Sequence, residues 1–370
     1  MNATCLTCRL VRASRSAAFF SLTCSDVDQR VEPLWAALET AKITDKKIGG
    51  GEIFFPDYIE PLVRMGEVIS GTPNDNSLIA PCDFFVQPLI LERNQAACFV
   101  EKRRWKCGNY PGTMAVAGMS GPVTIAGTVA LSLAELIAGW VLGYLCDPAL
   151  PVGGIVATAS LDMQTMTACF SSPEAILQNV ATANITNRLY GIDVAPVTSY
   201  TDCKRPGIKA VFDKLLGLLA APFSLNRSTG TDGLLSAGQD YSPVQHMLDH
   251  EISKAVERCW GHFDVNDDTL AVELTESVMR SPSTNFLSTE HTLLNYQSEQ
   301  WYPKWFDRTP WSGEDKEAVA EPAMLERIDA WCRDAVKRYE QPDIDPGKIR
   351  ELEMIVDCFD YSRIGLAGFG

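Results

Sequence analysis

The sequence predicts an α/β fold assembled from parallel β/α units. Three observations predict it. Short apolar runs alternate with stretches of helical period through the middle of the chain. Polar clusters follow several of those runs directly, where folds of this kind build their sites. The chain of 370 residues, 46% hydrophobic and 21% charged, is long and apolar enough for one large barrel or two ordinary domains.

Taken in chain order, residues 78–86, 114–117, 154–158, 194–198 and 222–225 read as buried strands, and 52–55 as a further one. The clearest helix spans 122–146. Pro122 suits a first helical position, where its missing N–H is not needed, and Asp147-Pro148 ends the helix by forcing the preceding residue out of the α region. A second helix opens at Ser172-Pro173-Glu174 and closes at Gly191, a left-handed cap. Others cover 206–220 and 244–258. About six units result, short of the eight that close a (β/α)8 barrel. The pattern changes after residue 261. An acidic turn at 264–268 starts a helix to about 278, an aromatic-rich run (Tyr296, Trp301, Tyr302, Trp305, Phe306, Trp311) follows, and amphipathic helices span 321–340 and 347–358. The expected organisation is a poorly defined segment over 1–45 and a barrel over 46–370, with a helical extension from about 262.

A formal net charge of -15 argues against nucleic acid and anionic membrane as partners. The twelve Cys are scattered, and the lone Cys5-Leu-Thr-Cys8 motif has no second pair, so a reducing cytoplasm is expected, with no metal site. Arg9, Arg12 and Arg15 in an acid-free N-terminus have the composition of a transit peptide, and equally of a ragged terminus. The uncharged run 113–134 is interrupted by Gly118, Gly121, Pro122 and Gly127 and followed by Glu135, so it reads as a strand and a buried helix rather than a membrane span.

Three polar clusters follow apolar runs: 159–163 with Asp162, 199–206 with Tyr200 and Asp202, and 226–231. Asp162 reads as a loop acid or a ligand, and Asp202 as a helix cap or a functional acid. His246 and His250 are four apart on a helix, but with no third ligand in view they read as a packed or solvated face.

Five segments in register resemble the trimethylamine:corrinoid methyltransferase family. They are the Gly-Pro-Val-Thr-Ile-Ala-Gly helix start at 121–127, Ser160 to Met163, Ser171 to Glu174, Thr201 to Pro206, and Thr289-Glu290-His291-Thr292 followed by Trp301, Pro303 and Asp307-Arg308. The resemblance runs from about Ile79 to the C-terminus. It implies a TIM (β/α)8-type barrel, incomplete at the N-terminus, with a helical C-terminal extension. It implies an enzyme that moves a methyl group from a quaternary or tertiary methylamine, of betaine or trimethylamine type, to the cobalt of a corrinoid carried by a cognate partner protein. It also implies a cage for a cationic amine. Asp202, Glu290 and His291 are the candidate catalytic residues, and Asp162, Tyr200, Tyr296 and Trp301 the candidate substrate-binding ones. The trimethylamine enzyme carries pyrrolysine. None stands here, which favours a quaternary amine. The family's N-terminal part is unrecognisable before about Lys46, and 207–211 and 226–231 depart from the family text. A catalytically silent relative that binds an amine or a corrinoid protein is the alternative expectation, and homo-oligomer formation is a further one.

Overall fold

The structure, a computed structural model, describes residues 27–224, 232–282, 285–310 and 320–364. It is a mixed α/β fold around a four-stranded sheet, β1 (Cys82–Phe84), β2 (Tyr110–Thr113), β4 (Gly154–Val156) and β7 (Val194–Pro196), all parallel and in chain order. A parallel bridge from Gly51 to Ile79 adds a position before β1. The crossovers are α3 (Arg93–Arg104), α4 (Ile125–Cys146) and α5 (Pro173–Tyr190). Chain-order parallel pairing with a helix in each crossover is what the alternating pattern predicts.

Side chains alternate across this sheet. Val194 and Pro196 of β7 are buried against the helices, while Ala195 between them is half-buried on the other face. On β1, Asp83 turns toward α3, where it takes Lys102 Nζ at 2.7 Å and Arg103 at 3.1 Å, both fully desolvated. Lys102 also donates to the Ala80 and Cys82 carbonyls, at 2.9 and 3.1 Å. This ion triad clamps α3 onto β1.

Helix α4 is long and apolar enough to cross a membrane by length and composition. Here it packs against β2 and α5, with Leu136 and Trp140 in a core shared with Val156, Ala183 and Val194. A Cβ on Gly143 would land 1.9 Å from the Asn109 amide nitrogen, so only glycine permits this helix–strand approach. Glu135 is buried and satisfied by Thr113 Oγ1 at 2.6 Å and the Leu89 N–H at 3.0 Å. The helix starts at Ile125 rather than 122 because Thr124 caps it, accepting from the Gly127 N–H at 3.3 Å.

One expectation needs correction. Residues Ala221–Ser224 form a 3-10 turn, not a strand, because the chain leaves α6 (Ile208–Ala220) still helical. Nearer the N-terminus, α1 (Glu32–Ile43) is a packed helix. It shares a core with α2 (Ile59–Ser70) and the last helix, α12 (Pro346–Asp357), through Leu34, Leu62, Met65 and Leu352. The last helix, α12, thus returns to the first helices. Between β7 and the extension lies α7 (Pro243–Trp260), which packs with α11 (Glu321–Lys337) through Leu248, Trp305 and Ile328. By contrast α8 (Asp267–Leu270), α9 (Val272–Arg280) and α10 (Glu290–Glu299) bury almost nothing, with Val278 the one buried residue among the three.

Candidate active site

The sequence-predicted residues fall into two separate places. Asp162, Tyr200 and Asp202 lie at the C-terminal ends of the strands. Ser160 to Asp162 form β5 (Ala159–Asp162), which continues β4 and turns back through the antiparallel β6 (Thr167–Cys169). Asp162 closes that hairpin, accepting from the Gln164 N–H at 2.8 Å and Thr165 Oγ1 at 2.9 Å. The Gln164 amide, then the Thr165 hydroxyl, hold its pKa below the ordinary value. Asp202 is a latch. Its carboxylate accepts from Ser171 Oγ at 2.6 Å and from the N–H groups of Phe170 and Ser171 at 3.2 and 3.3 Å, tying the β7 loop to the start of α5.

Glu290, His291 and Tyr296 are on α10, exposed to solvent, and Trp301 follows it. Thr289, next to Glu290 in the sequence, serves as the N-cap of α10 and accepts from the Thr292 N–H. Arg258 of α7 holds the far end through Glu299. Trp301 is paired with Arg308, whose guanidinium lies 5.1 Å from the ring centre. Among the described residues, no hydrogen bond, ion pair or ring contact joins these four to Asp162, Tyr200 or Asp202. The loop 226–231 and Trp311 lie outside the described residues. His246 is buried against the Tyr241 ring, 6.1 Å between centroids, and His250 is partly buried on the same helix.

The strands do assemble a different set. The register places Cys82 opposite Tyr110, Phe84 opposite Gly112, Gly112 opposite Ile155, and Ile155 opposite Ala195. These side chains share the face that the helices do not cover, and most are only half-buried. The Phe84 ring occupies the space a Cβ on Gly112 would take. Glu52 follows the Gly51–Ile79 bridge and is near enough to Cys82 and Tyr200 for its charge to act on both. Tyr200 reaches in from the end of β7, edge-on to Phe170 with centroids 5.5 Å apart. Gly238, at φ +93°, leaves room for the Tyr200 ring, 3.1 Å from where a Cβ would stand.

The electrostatics link this set. Glu52 is exposed to solvent, yet the protein packed around it desolvates it in part. That desolvation raises its pKa, opposed by Lys102 and reinforced by Asp83. Burial, then the Glu52 charge, pushes the Cys82 thiol up to about 12. Burial, then Glu52 and Cys82, also raises Tyr200. A thiol held neutral is no nucleophile at physiological pH. What the face offers is one solvent-accessible carboxylate near aromatic and small apolar side chains, a setting for a small cation. In the sequence Glu52 does not belong to a polar cluster that follows an apolar run, so nothing of that kind marks it. The Gly49-Gly50-Gly51 run that precedes it, marking a close backbone approach, was the available signal.

With this geometry in view, comparison with known proteins is informative. Residues 85–358 match the model of the family described as trimethylamine methyltransferase (MTTB). The trimethylamine methyltransferase MttB of Methanosarcina barkeri is 28% identical over 284 residues, covering 75% of this chain and 55% of the relative. The glycine betaine methyltransferase of Desulfitobacterium hafniense is 27% identical over 245 residues, covering 66% of this chain and 50% of the relative. The chain spans about half the length of the curated relatives it matches. It belongs to the trimethylamine methyltransferase family.

Proposed function

We propose, starting from membership of this family, that the protein takes a methyl group from a methylated amine and passes it to the cobalt of a corrinoid protein, which is a second substrate. In this reading the parallel strands are consecutive units of a (β/α)8-type barrel, with the inner face of the sheet as its interior. The C–N bond breaks and its electron pair leaves with the amine, while a cobalt-centred pair forms the new bond to the methyl carbon. The protein's task is then to hold a cation dry and in line with the acceptor, which is positioning rather than acid–base work. The neutral Cys82 thiol on the inner face suits that task.

The observation that carries the reading is the uncovered inner face, lined by Phe84, Tyr110, Tyr200 and one carboxylate, on strands that lie within or just before the family-matched residues. The test mixes purified protein with reduced cob(I)alamin and a panel of trimethylamine, choline and glycine betaine, and follows the methylcobalamin absorbance. Turnover with one amine supports the reading and names the substrate class. A second reading, a binding relative without turnover, is favoured by one observation: among the described residues no bond joins Glu290, His291, Tyr296 or Trp301 to Asp162, Tyr200 or Asp202. Amine binding without methyl transfer would select it.

A further inference from the structure

We infer that the turn Ser236–Gly238 is a strained clamp that positions Tyr200, fixing its ring at the end of β7 where the methylated amine binds. The role of the ring rests on the methylamine reading above, whereas the clamp itself rests on geometry.

Three successive residues of this turn lie in the left-handed region, Ser236 at φ +50°, Ala237 at φ +56° and Gly238 at φ +93°. Only glycine adopts that region freely. In Ser236 and Ala237 the Cβ crowds the following carbonyl, and such strain persists only where surrounding contacts over-determine it. The contacts are present. The turn joins the antiparallel pair Leu234–Leu235 and Asp240–Tyr241, and Ser236 Oγ bonds to the Asp240 carboxylate across it at 2.6 Å. The Ser236 N–H donates to the Cys203 carbonyl at 2.7 Å, and the Ala237 N–H to the Thr201 carbonyl at 2.8 Å. An extended chain aims successive N–H groups to opposite sides. The left-handed turn aims both at the segment that carries Tyr200. Gly238 then lies against the Tyr200 ring, where a Cβ would stand 3.1 Å from Cε1. On another side Phe170 meets the same ring edge-on, with centroids 5.5 Å apart, and Asp202 ties the loop to Ser171. Thr201 is anchored as well, its hydroxyl donating to Asp213 at 2.8 Å. Tyr200 is thus gripped between the start of α5 and a turn held in a strained form. A turn that merely linked two strands would be relaxed by glycine at 236 and 237. A ring that must present its face to a methylated cation binds it better when fixed beforehand.

The test compares Ala237→Gly with Ala271→Gly. Ala271 is also left-handed, at φ +47°, but lies between the exposed helices α8 and α9. Both substitutions relieve the same backbone strain, so each thermal midpoint should stay within about 2 °C of wild type or rise. With meta-fluorotyrosine in place of Tyr200, the fluorine resonance should move toward that of the free amino acid in Ala237→Gly and stay put in Ala271→Gly. In calorimetry, choline should bind Ala237→Gly about three- to tenfold more weakly than wild type, the range of one cation–ring contact, and Ala271→Gly unchanged. Tyr200→Ala sets the full loss of the ring, which Ala237→Gly should not exceed. Should Ala237→Gly fail to fold, Ser236→Ala decides, because it cuts the bond to Asp240 and should move the resonance and the affinity the same way. An unmoved resonance, or a choline affinity equal to wild type, overturns the inference and leaves methyl transfer open. A midpoint lowered in Ala237→Gly but not in Ala271→Gly also overturns it, since no strain was then stored. A moved resonance in a protein that binds no methylated ammonium and transfers no methyl upholds the clamp and overturns the methylamine reading.

Discussion

Replacing Asp83 with Asn tests the clamp that seats β1. The carboxylate lies between Lys102 at 2.7 Å and Arg103 at 3.1 Å, with side-chain exposures of 5%, 1% and 1%. Asn keeps the shape but removes the charge, leaving two cations in a site sealed from water. Breaking a buried pair from one side costs about 3–5 kcal/mol. The Lys102 bonds to the Ala80 and Cys82 carbonyls soften the loss, so the lower end of that range is expected. A domain typically has roughly 5–15 kcal/mol in total, so the variant should unfold at a clearly lower urea concentration. The matched control is Asp329→Asn, which removes an exposed pair with Arg333 and should leave the midpoint unchanged. Urea unfolding followed by circular dichroism, with wild type alongside, reads both. If Asp83→Asn shifts the midpoint no further than Asp329→Asn, the triad is not the clamp described. If Asp83→Leu with Lys102→Met proves more stable than Asp83→Asn alone, the cost lies in the stranded charge.

Four further outcomes follow from the same reasoning. Gly217→Ala would place a Cβ 1.7 Å from the Thr198 carbonyl oxygen, so α6 must shift, lowering stability by about 1–3 kcal/mol in chemical denaturation. Asp202→Ala should lose about 1–3 kcal/mol by unlatching Ser171; Asp202→Asn should keep most of that stability, and a loss of methyl transfer at full stability would instead mark Asp202 as a chemical participant. Asp249, buried beside Lys214 at 2.5 Å and bonded to Gln245 and the Gly233 N–H, is pushed up to about 6, chiefly by desolvation, with His246 and Asp232 nearby. Its folded pKa exceeds the unfolded one, so its contribution to stability is full below about pH 4 and is lost as pH rises through 6, a fall in thermal midpoint that Asp249→Asn should remove. Glu290→Gln and His291→Ala, both on the exposed face of α10, should leave choline affinity unchanged in calorimetry, and a tenfold loss in either would restore them to the binding site.

Much of this molecule is written in local sequence. The parallel units were legible because apolar runs and helical periods alternate, and β1, β2, β4 and β7 fall inside or beside the runs that predicted them. Helix ends were legible where a cap has its own chemistry. Ser172-Pro173 opens α5 and Gly191, at φ +65°, closes it. The five family segments were legible as text, and the family match covers them. Tertiary structure decided what those segments touch. Asp202 looks the same in sequence whether it meets a substrate or Ser171, because the two partners are 31 residues apart and only the packing of α5 on β7 brings them together. Glu290 and His291 sit in a family motif, and only the fold shows that the helix carrying them is exposed and unbonded to the residues after the strands. Glu52 had no motif at all. Its raised pKa comes from the protein packed around it and from Lys102 and Asp83, neighbours that only the fold supplies. Periodicity is a property of the chain and survives in one dimension, whereas desolvation and pairing are properties of neighbours, which only the folded arrangement defines.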